Sequence, residues 1–193
     1  GALLLPIAVS GGIHLDGFCD TADALGSHQS RERKLEILKD SHTGAFAIIC
    51  CCLYLIFFFA VWSEVLPRGR AGIVLALGPV LSRSLSGLAA ASWPNARGSG
   101  LLAAFTEPMD GKKARAVLAL WVLLCCAGLL AAEPLSGGAA ILAAALSFLY
   151  YRCMAMRQFG GITGDLAGFF LQVCECAMAA AVVIAQHTAE VFL

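Results

Sequence analysis

From Ala45 to Leu66 the chain runs for 22 residues with a single charged side chain, Glu64, close to its far end. A stretch of that length and polarity is long enough to cross the hydrocarbon core of a bilayer as a helix, and a membrane leaves few other solutions, because every backbone N–H and C=O must find its partner within the segment. Similar runs recur at Ala71 to Ser92, Val117 to Ala132, Ala139 to Tyr151 and Leu166 to Ala185. Gly1 to Ile13 reads as the end of another span. The expected fold is an all-α polytopic membrane bundle with about six spans in a single transmembrane domain, residues 1–193, preceded by an N-terminal part. Composition agrees: 60% of the 193 residues are hydrophobic and 13% charged, with a mean hydropathy of +0.82, too apolar for an ordinary soluble domain.

The net charge is zero and no basic run occurs, which argues against a nucleic-acid partner. Of nine cysteines, Cys50, Cys51, Cys52, Cys125, Cys126 and Cys174 lie inside apolar runs, where they pack as small hydrophobes. No Cys-x-x-Cys or Cys/His zinc spacing is present.

Against this background the acids stand out. In His14-Leu-Asp16-Gly-Phe-Cys-Asp20-Thr-Ala-Asp23, spacings of four and three put Asp16, Asp20 and Asp23 within an arc of about 60° on one helix face. Neighbours on such a stripe lie roughly 6 Å apart, and at an effective dielectric near 20 each like-charge pair costs on the order of 3 kcal/mol. A divalent cation removes that cost. Oxygen-only ligands suit a hard ion such as Mg²⁺ or Mn²⁺ better than zinc. The plainer reading has Asp16 or Asp20 capping a helix and Asp23 facing water.

After the stripe, Gly26 to Ser41 reads as an interfacial segment in which Ser30 caps a short helix bearing Arg31, Glu32, Arg33, Lys34, Glu36, Lys39 and Asp40. Leu35 and Leu38 are expected to face the membrane or bundle, with Arg33, Glu36 and Asp40 opposite. Trp93 to Arg115 reads as a polar loop, broken by Pro94, Gly98, Gly100, Pro108 and Gly111. Glu133 to Gly138 reads as a turn. If the segment after the first span is cytoplasmic, the inside loops hold Arg31, Arg33, Lys34, Lys39, Arg97, Lys112, Lys113, Arg115, Arg152 and Arg157, and the outside loops hold Arg68 and Arg70. That asymmetry sets the orientation. It also gathers Asp16, Asp20, Asp23, Asp40, Asp110 and Asp165 on the cytoplasmic side.

Acids and cations meeting on one face suit phosphoryl transfer, which needs charge neutralisation and positioning more than covalent help. Arg31, Arg33, Lys39, His42, Arg97, Lys112 and Lys113 are candidates for holding phosphate, although a charged interfacial face is more often only solvated. His14 is a candidate base or supporting group; a histidine at a span end is more often structural. Gly160-Gly161-Ile-Thr163-Gly164-Asp165 opens the last span, either as an anion-binding helix start or as a glycine-rich turn with Asp165 as its cap. Arg83, Gln172 and Glu175 lie within spans, so each must be paired or line a polar cavity, and Arg83 is a candidate partner for Glu175.

These residues resemble those of a known family. Gly12-Ile-His14-Leu-Asp16-Gly17-Phe-Cys-Asp20-Thr21-Ala-Asp23, Arg31-Glu-Arg33, Leu35 to Ser41 with Gly44, Ser82-Arg83, Ala96-Arg97 with Gly100 and Phe105, and Gly160 to Asp165 with Gly168 and Glu175 closely resemble the signature of cobalamin synthase, adenosylcobinamide-GDP ribazoletransferase. The likeness covers almost the whole chain. It implies a multi-pass inner-membrane, Mg²⁺-dependent transferase acting at the cytoplasmic side, which joins a GDP-activated corrinoid to α-ribazole or its 5′-phosphate and releases GMP. Carried over, it implies metal binding by Asp16, Asp20 and Asp23, catalytic roles for His14, Asp40 and Asp165, and substrate contacts from Arg31, Arg33, Lys39, Arg97, Gly161 and Gly164. The chain departs from that pattern at Ala24, His42-Thr43 and Gln172.

Two other readings compete. A nucleotide-alcohol phosphotransferase making a phospholipid also clusters aspartates, but its Ala-Arg pair and second Gly-x-x-x-Asp-x-x-x-Asp block are missing here. A cation-coupled secondary transporter would carry acids near the midplane of broken helices, with an internal repeat; here the acids sit at span ends.

Overall fold

The computed structural model describes residues 1–66, 69–98 and 110–192. Arg68, Gly100, Phe105 and Pro108 lie outside them. The described chain is helical: α1 Leu4–Val9, α2 Ile13–Gly26, α3 Arg31–Ile37, α4 Ala45–Ser63, α5 Ala71–Ala90, α6 Gly111–Ala132, α7 Pro134–Met154, a π-helical turn Ala155–Phe159, and α8 Gly164–Phe192. Five helices, α4 to α8, are long and apolar enough to cross a membrane. They run alternately up and down. Outward side chains such as Ile56, Leu123 and Leu142 are more than 60% exposed, as helices facing lipid rather than water require.

One end of the bundle is sewn by Arg97 with Asp165, Lys34 with Gln158 and Arg115 with the Ala91 carbonyl. At the opposite end Gln186 makes a two-way bond with the Leu66 backbone, and His187 bonds the Glu64 carbonyl. The cation-rich segments gather at the first end.

Several expected boundaries move. Gly1 to Ile13 is not one continuous helix end: α1 stops at Val9, and Gly11 and Gly12 take φ of +62° and +81°, a left-handed conformation that breaks the helix before α2 begins. The Trp93 to Arg115 loop ends earlier than expected, because Asp110 accepts the N–H groups of Lys112 and Lys113 and starts α6 at Gly111. The turn expected at Glu133 to Gly138 shrinks to Glu133, since Pro134 begins α7 with its φ already helical. Gly137 makes that tight hairpin feasible: a Cβ there would stand 2.2 Å from the Leu129 carbonyl oxygen.

In lipid, helices associate through close packing rather than through burial from water. Around α8, small residues and aromatic pairs supply it. A Cβ on Gly17 of α2 would lie 2.7 Å from the Asp165 carbonyl oxygen, and one on Gly168 would lie 3.0 Å from that of His14, so α2 and α8 touch backbone to backbone. Phe18 stacks on Phe169 with centroids 5.4 Å apart, and Tyr151 on Phe170 at 4.8 Å. These contacts lay the acidic helix beside the start of α8.

Candidate active site

Asp20 is the centre of the acidic cluster. It lies half-buried on α2, and burial first, then the charges of Asp16, Asp165 and Asp23, push its carboxyl pKa up to about 6; Arg97 acts in the opposite sense. Thus the stripe is joined by a fourth carboxylate from α8. Gly17 explains why, since the absence of a side chain lets α2 rest directly on the Asp165 backbone.

Arg97 reaches this cluster through backbone. Ala96 N–H donates to the Ile162 carbonyl and Ile162 N–H to the Pro94 carbonyl, each at 2.9 Å, forming a short parallel bridge between the segment after α5 and the loop before α8. Asn95 Oδ1 accepts the N–H groups of Arg97 and Gly98, turning the chain. The Arg97 Nη2 then stands 3.0 Å from Asp165 Oδ2, with both side chains largely buried. Gly161 is the condition for this bridge: its Cβ would sit 2.4 Å from the Pro94 oxygen.

The glycine loop itself differs from an open anion cradle. Gly160 and Gly161 N–H groups both donate to the Ala155 carbonyl, and that of Ile162 is taken by Pro94. The cap of α8 is Thr163, whose hydroxyl accepts the Leu166 N–H at 3.2 Å, not Asp165. Asp165 is thereby left for Arg97 and the aspartates. Gly164 has open space where a Cβ would be, and with Asp165 it supplies first-turn N–H groups that the helix itself cannot bond.

Asp23 is also engaged. Its two oxygens accept the N–H groups of Gly44 at 2.6 Å and Ala47 at 2.8 Å, so it caps α4 across 21 residues of chain. The plainer alternative for the stripe, a cap from Asp16 or Asp20 with Asp23 in water, thus has its roles exchanged, since the capping residue is Asp23.

The remaining candidates divide. Arg31 lies over Gly160 so closely that a Cβ there would meet its Cζ at 1.8 Å. Arg33 is exposed and paired with Glu36 at 2.6 Å, and Lys39 is exposed at the end of α3. Asp40 forms its own turn with His42, accepting that residue's N–H and meeting its Nδ1 at 2.6 Å, which holds its carboxyl below the usual range. Burial first, then the charge of Arg83, holds the His14 pKa below its usual value, with Glu175 acting in the opposite sense. Glu175 accepts from Arg83 at 2.6 Å and from the Ser82 hydroxyl at 2.7 Å, the pairing expected for an acid inside a span. Gln172 bonds the Tyr54 hydroxyl. Of the three catalytic candidates, Asp165 alone joins Asp20.

The cobalamin-5-phosphate synthase family model matches residues 1–183. The chain belongs to this family. An adenosylcobinamide-GDP ribazoletransferase of Lachnoclostridium phytofermentans is 43% identical over 182 residues, covering 94% of this chain and 69% of that relative. One of Pseudomonas paraeruginosa is 38% identical over 186 residues, covering 95% and 74%. No solved structure matches the chain.

Within this cobalamin synthase frame, Ser82 and Arg83 pair with Glu175 inside the spans, whereas the aspartate stripe, Ala96-Arg97 and the Gly160 to Asp165 loop meet at the cation-rich end. The donor set there fits a hard cation: carboxylate oxygens from two helices, crowded enough to raise the pKa of the central one. Among the described residues no group of three or more His, Cys, Asp or Glu side chains is placed to hold a metal ion by itself. Mg²⁺ keeps several waters and commonly binds through one or two carboxylates together with substrate phosphates, so an open arrangement suits it better than a dedicated all-protein site would.

Two features escaped sequence reasoning. The bridge between Pro94–Ala96 and Ile162 joins segments far apart in sequence and has no local signature. Lys34, counted only among the cations of the inside loops, is 6% exposed and donates to Gln158 Oε1 at 2.5 Å. Leu38, four residues on and also buried, was the available signal, because the two share a helix face.

Proposed function

We propose that this protein is a Mg²⁺-dependent transferase that joins adenosylcobinamide-GDP to α-ribazole, or its 5′-phosphate, and releases GMP, at the cytoplasmic end of an inner-membrane bundle. The observation that carries this reading is the convergence of Asp16, Asp20 and Asp165 beside the Arg97 guanidinium in a chain of this family. Asp16 and Asp20 hold the metal, with Asp23 at the edge of the set, its oxygens already accepting two backbone N–H groups. Bound Mg²⁺ supplies charge neutralisation for the pyrophosphate.

The protein's own groups do the rest. Arg97, fixed by the backbone bridge, offers donors to the phosphate oxygens and keeps Asp165 in place. Its Nη2 is held by Asp165, while its Nε is buried without a hydrogen-bond partner, which leaves that donor free for an incoming oxyanion. Arg31 covers the glycine loop and meets the nucleotide phosphates from the membrane surface. Asp165 accepts the proton of the α-ribazole 3′-hydroxyl as that oxygen attacks the phosphorus bonded to the corrinoid arm. The bond from that phosphorus to the GMP oxygen breaks, so the nucleotide leaves with one phosphate.

A transporter reading is not favoured, because Glu175 lies in one unbroken helix and its carboxylate is taken by Arg83 and Ser82. The test is product analysis after incubating the purified protein with both substrates and Mg²⁺. GMP together with a ribazole-bearing corrinoid is expected. A corrinoid phosphate together with guanylated ribazole would place the attack on the other phosphorus and overturn the reading.

A further inference from the structure

We infer that Lys34 is a positioning residue for this reaction: bonded to Gln158 of the π-helical turn, it locks α3 in the register that lays Arg31 over Gly160. The role assigned to Arg31 rests on the function proposed above, whereas the lock itself does not.

Lys34 gives up its hydration. An ammonium needs water or a carboxylate, and this one is buried with a neutral amide oxygen as its hydrogen-bond partner, 2.5 Å away. A leucine or methionine would fill the same place without desolvating a charge. As a contribution to stability the lysine is therefore a poor choice, and its effect is better sought in geometry.

That geometry has two points of contact. Arg31 and Lys34 are three residues apart and share one face of α3. Facing them, Gln158 and Gly160 are two residues apart across the end of the π turn. Lys34 takes Gln158 while the Arg31 guanidinium packs on the Cα of Gly160, whose φ of +72° and lack of a Cβ leave the space. Leu35, Ile37 and Leu38 already anchor this helix of seven residues on the core, and the two polar contacts set its rotation over the π turn. The π turn takes part in this: its wider helical turn is an unusual local structure that tends to occur at functional sites, and Ala155 and Phe159 on either side of Gln158 are fully buried, so the amide is presented from a rigid base. Arg31 takes no ion pair among the described residues, unlike Arg33, whose charge is already matched by Glu36. The lock thus presents the free guanidinium, and the paired one faces away.

The test combines a distance with kinetics. Spin labels at Glu32 and Arg157, both exposed, report the docking of α3 on the π turn. In the parent the distance distribution is narrow; Lys34→Met and Gln158→Met broaden it, and Gln158→Glu, which offers the ammonium a charged acceptor, keeps it narrow. In turnover, Lys34→Met raises KM for the GDP-activated corrinoid about tenfold with kcat within about twofold, the signature of binding lost equally in ground and transition states. Gln158→Glu keeps the parent KM. On an Arg31→Ala background Lys34→Met adds no further rise, because there is no longer a guanidinium to position. An unchanged distance distribution in Lys34→Met overturns the lock. A broadened distribution with parent KM, or a KM effect that adds in full to that of Arg31→Ala, overturns the positioning role. Should Lys34→Met not fold, the contrast between Gln158→Met and Gln158→Glu decides on the same readouts. Narrow and broadened distributions as expected, but with GMP absent from the parent's products, would uphold the lock and overturn the proposed reaction.

Discussion

Arg97 and Asp165 come from segments 68 residues apart and meet at 3.0 Å because two backbone hydrogen bonds, between Pro94–Ala96 and Ile162, bring their chains side by side. The pair closes the acidic cluster of α2 from one side, giving it both a fourth carboxylate and a cation. Neither residue lies on α2. The site is an assembly of three chain segments whose only strong local signal is the aspartate stripe.

That assembly depends on Gly161. Replacing it with alanine drives a methyl group to 2.4 Å from the Pro94 oxygen and 2.8 Å from the Ala96 nitrogen, so the bridge must open and Arg97 must shift. Displacement of a positioned group by about 1 Å can cost on the order of 100-fold in rate. Gly161→Ala is expected to lose roughly that much of kcat/KM, while Gly72→Ala, where the space is open, stays near the parent. Steady-state kinetics on the two variants check this.

Asp23 and Asp20 are expected to respond oppositely to neutralisation. Asp23 caps α4 through Gly44 and Ala47, so Asp23→Ala should lower stability by about 1 kcal/mol, the usual worth of an N-cap. Thermal unfolding in detergent with chelator present measures it. Stability equal to or above that of the parent would show that the cap carries no net weight.

Asp20 sets a pH dependence whose sign follows from its raised pKa. In the unfolded chain it titrates near 3.9, in the folded protein at about 6. Between these values the folded state holds a proton that the unfolded state has lost, so stability rises as pH falls from about 7 toward about 4. Without divalent metal, the parent should therefore gain Tm over that window relative to Asp20→Asn, which lacks the titrating group. Parallel Tm curves for the two proteins would contradict the crowding of carboxylates around Asp20.

The spans and the stripe were legible because each depends on a local pattern: apolar length for α4 to α8, and i, i+4, i+7 spacing for the acids. The short α1 was not, since two left-handed glycines decide it, and glycine also occurs inside helices, as Gly128 does in α6. Asp23 illustrates a different limit. Its spacing places it with Asp16 and Asp20, but its partners, Gly44 and Ala47, are fixed only once α4 folds back on α2. Arg83 with Glu175 could be suspected from their cost inside a membrane, whereas Lys34 with Gln158 could not, because nothing local links a lysine on a short interfacial helix to a glutamine 124 residues on.

Orientation follows from charge. Arg31, Arg33, Lys34, Lys39, Arg97, Lys112, Lys113, Arg115, Arg152 and Arg157 fall at one end of the bundle and Arg70 at the other, and the cytoplasmic placement proposed for the cluster rests on the positive-inside tendency. Single cysteines at Lys112 and Arg157 in a cysteine-free background should react with an impermeant reagent only from the cytoplasmic side of sealed vesicles, and one at Arg70 only from the other side. The reverse pattern would remove the site from the compartment proposed for it.

The most direct measurement compares parent and Asp20→Asn for Mg²⁺-dependent stabilisation and for GMP release in the same preparations. A cation bound at the cluster stabilises the fold in proportion to the logarithm of its concentration over its dissociation constant. The parent should gain Tm steadily as Mg²⁺ is raised from chelated to millimolar levels and should release GMP only when Mg²⁺ is present. Asp20→Asn, at neutral pH in chelator, should be at least as stable as the parent, gain little from Mg²⁺ and release no GMP. A parent indifferent to Mg²⁺ in both readouts, or an Asp20→Asn protein that is less stable in chelator and still turns over, would contradict the account.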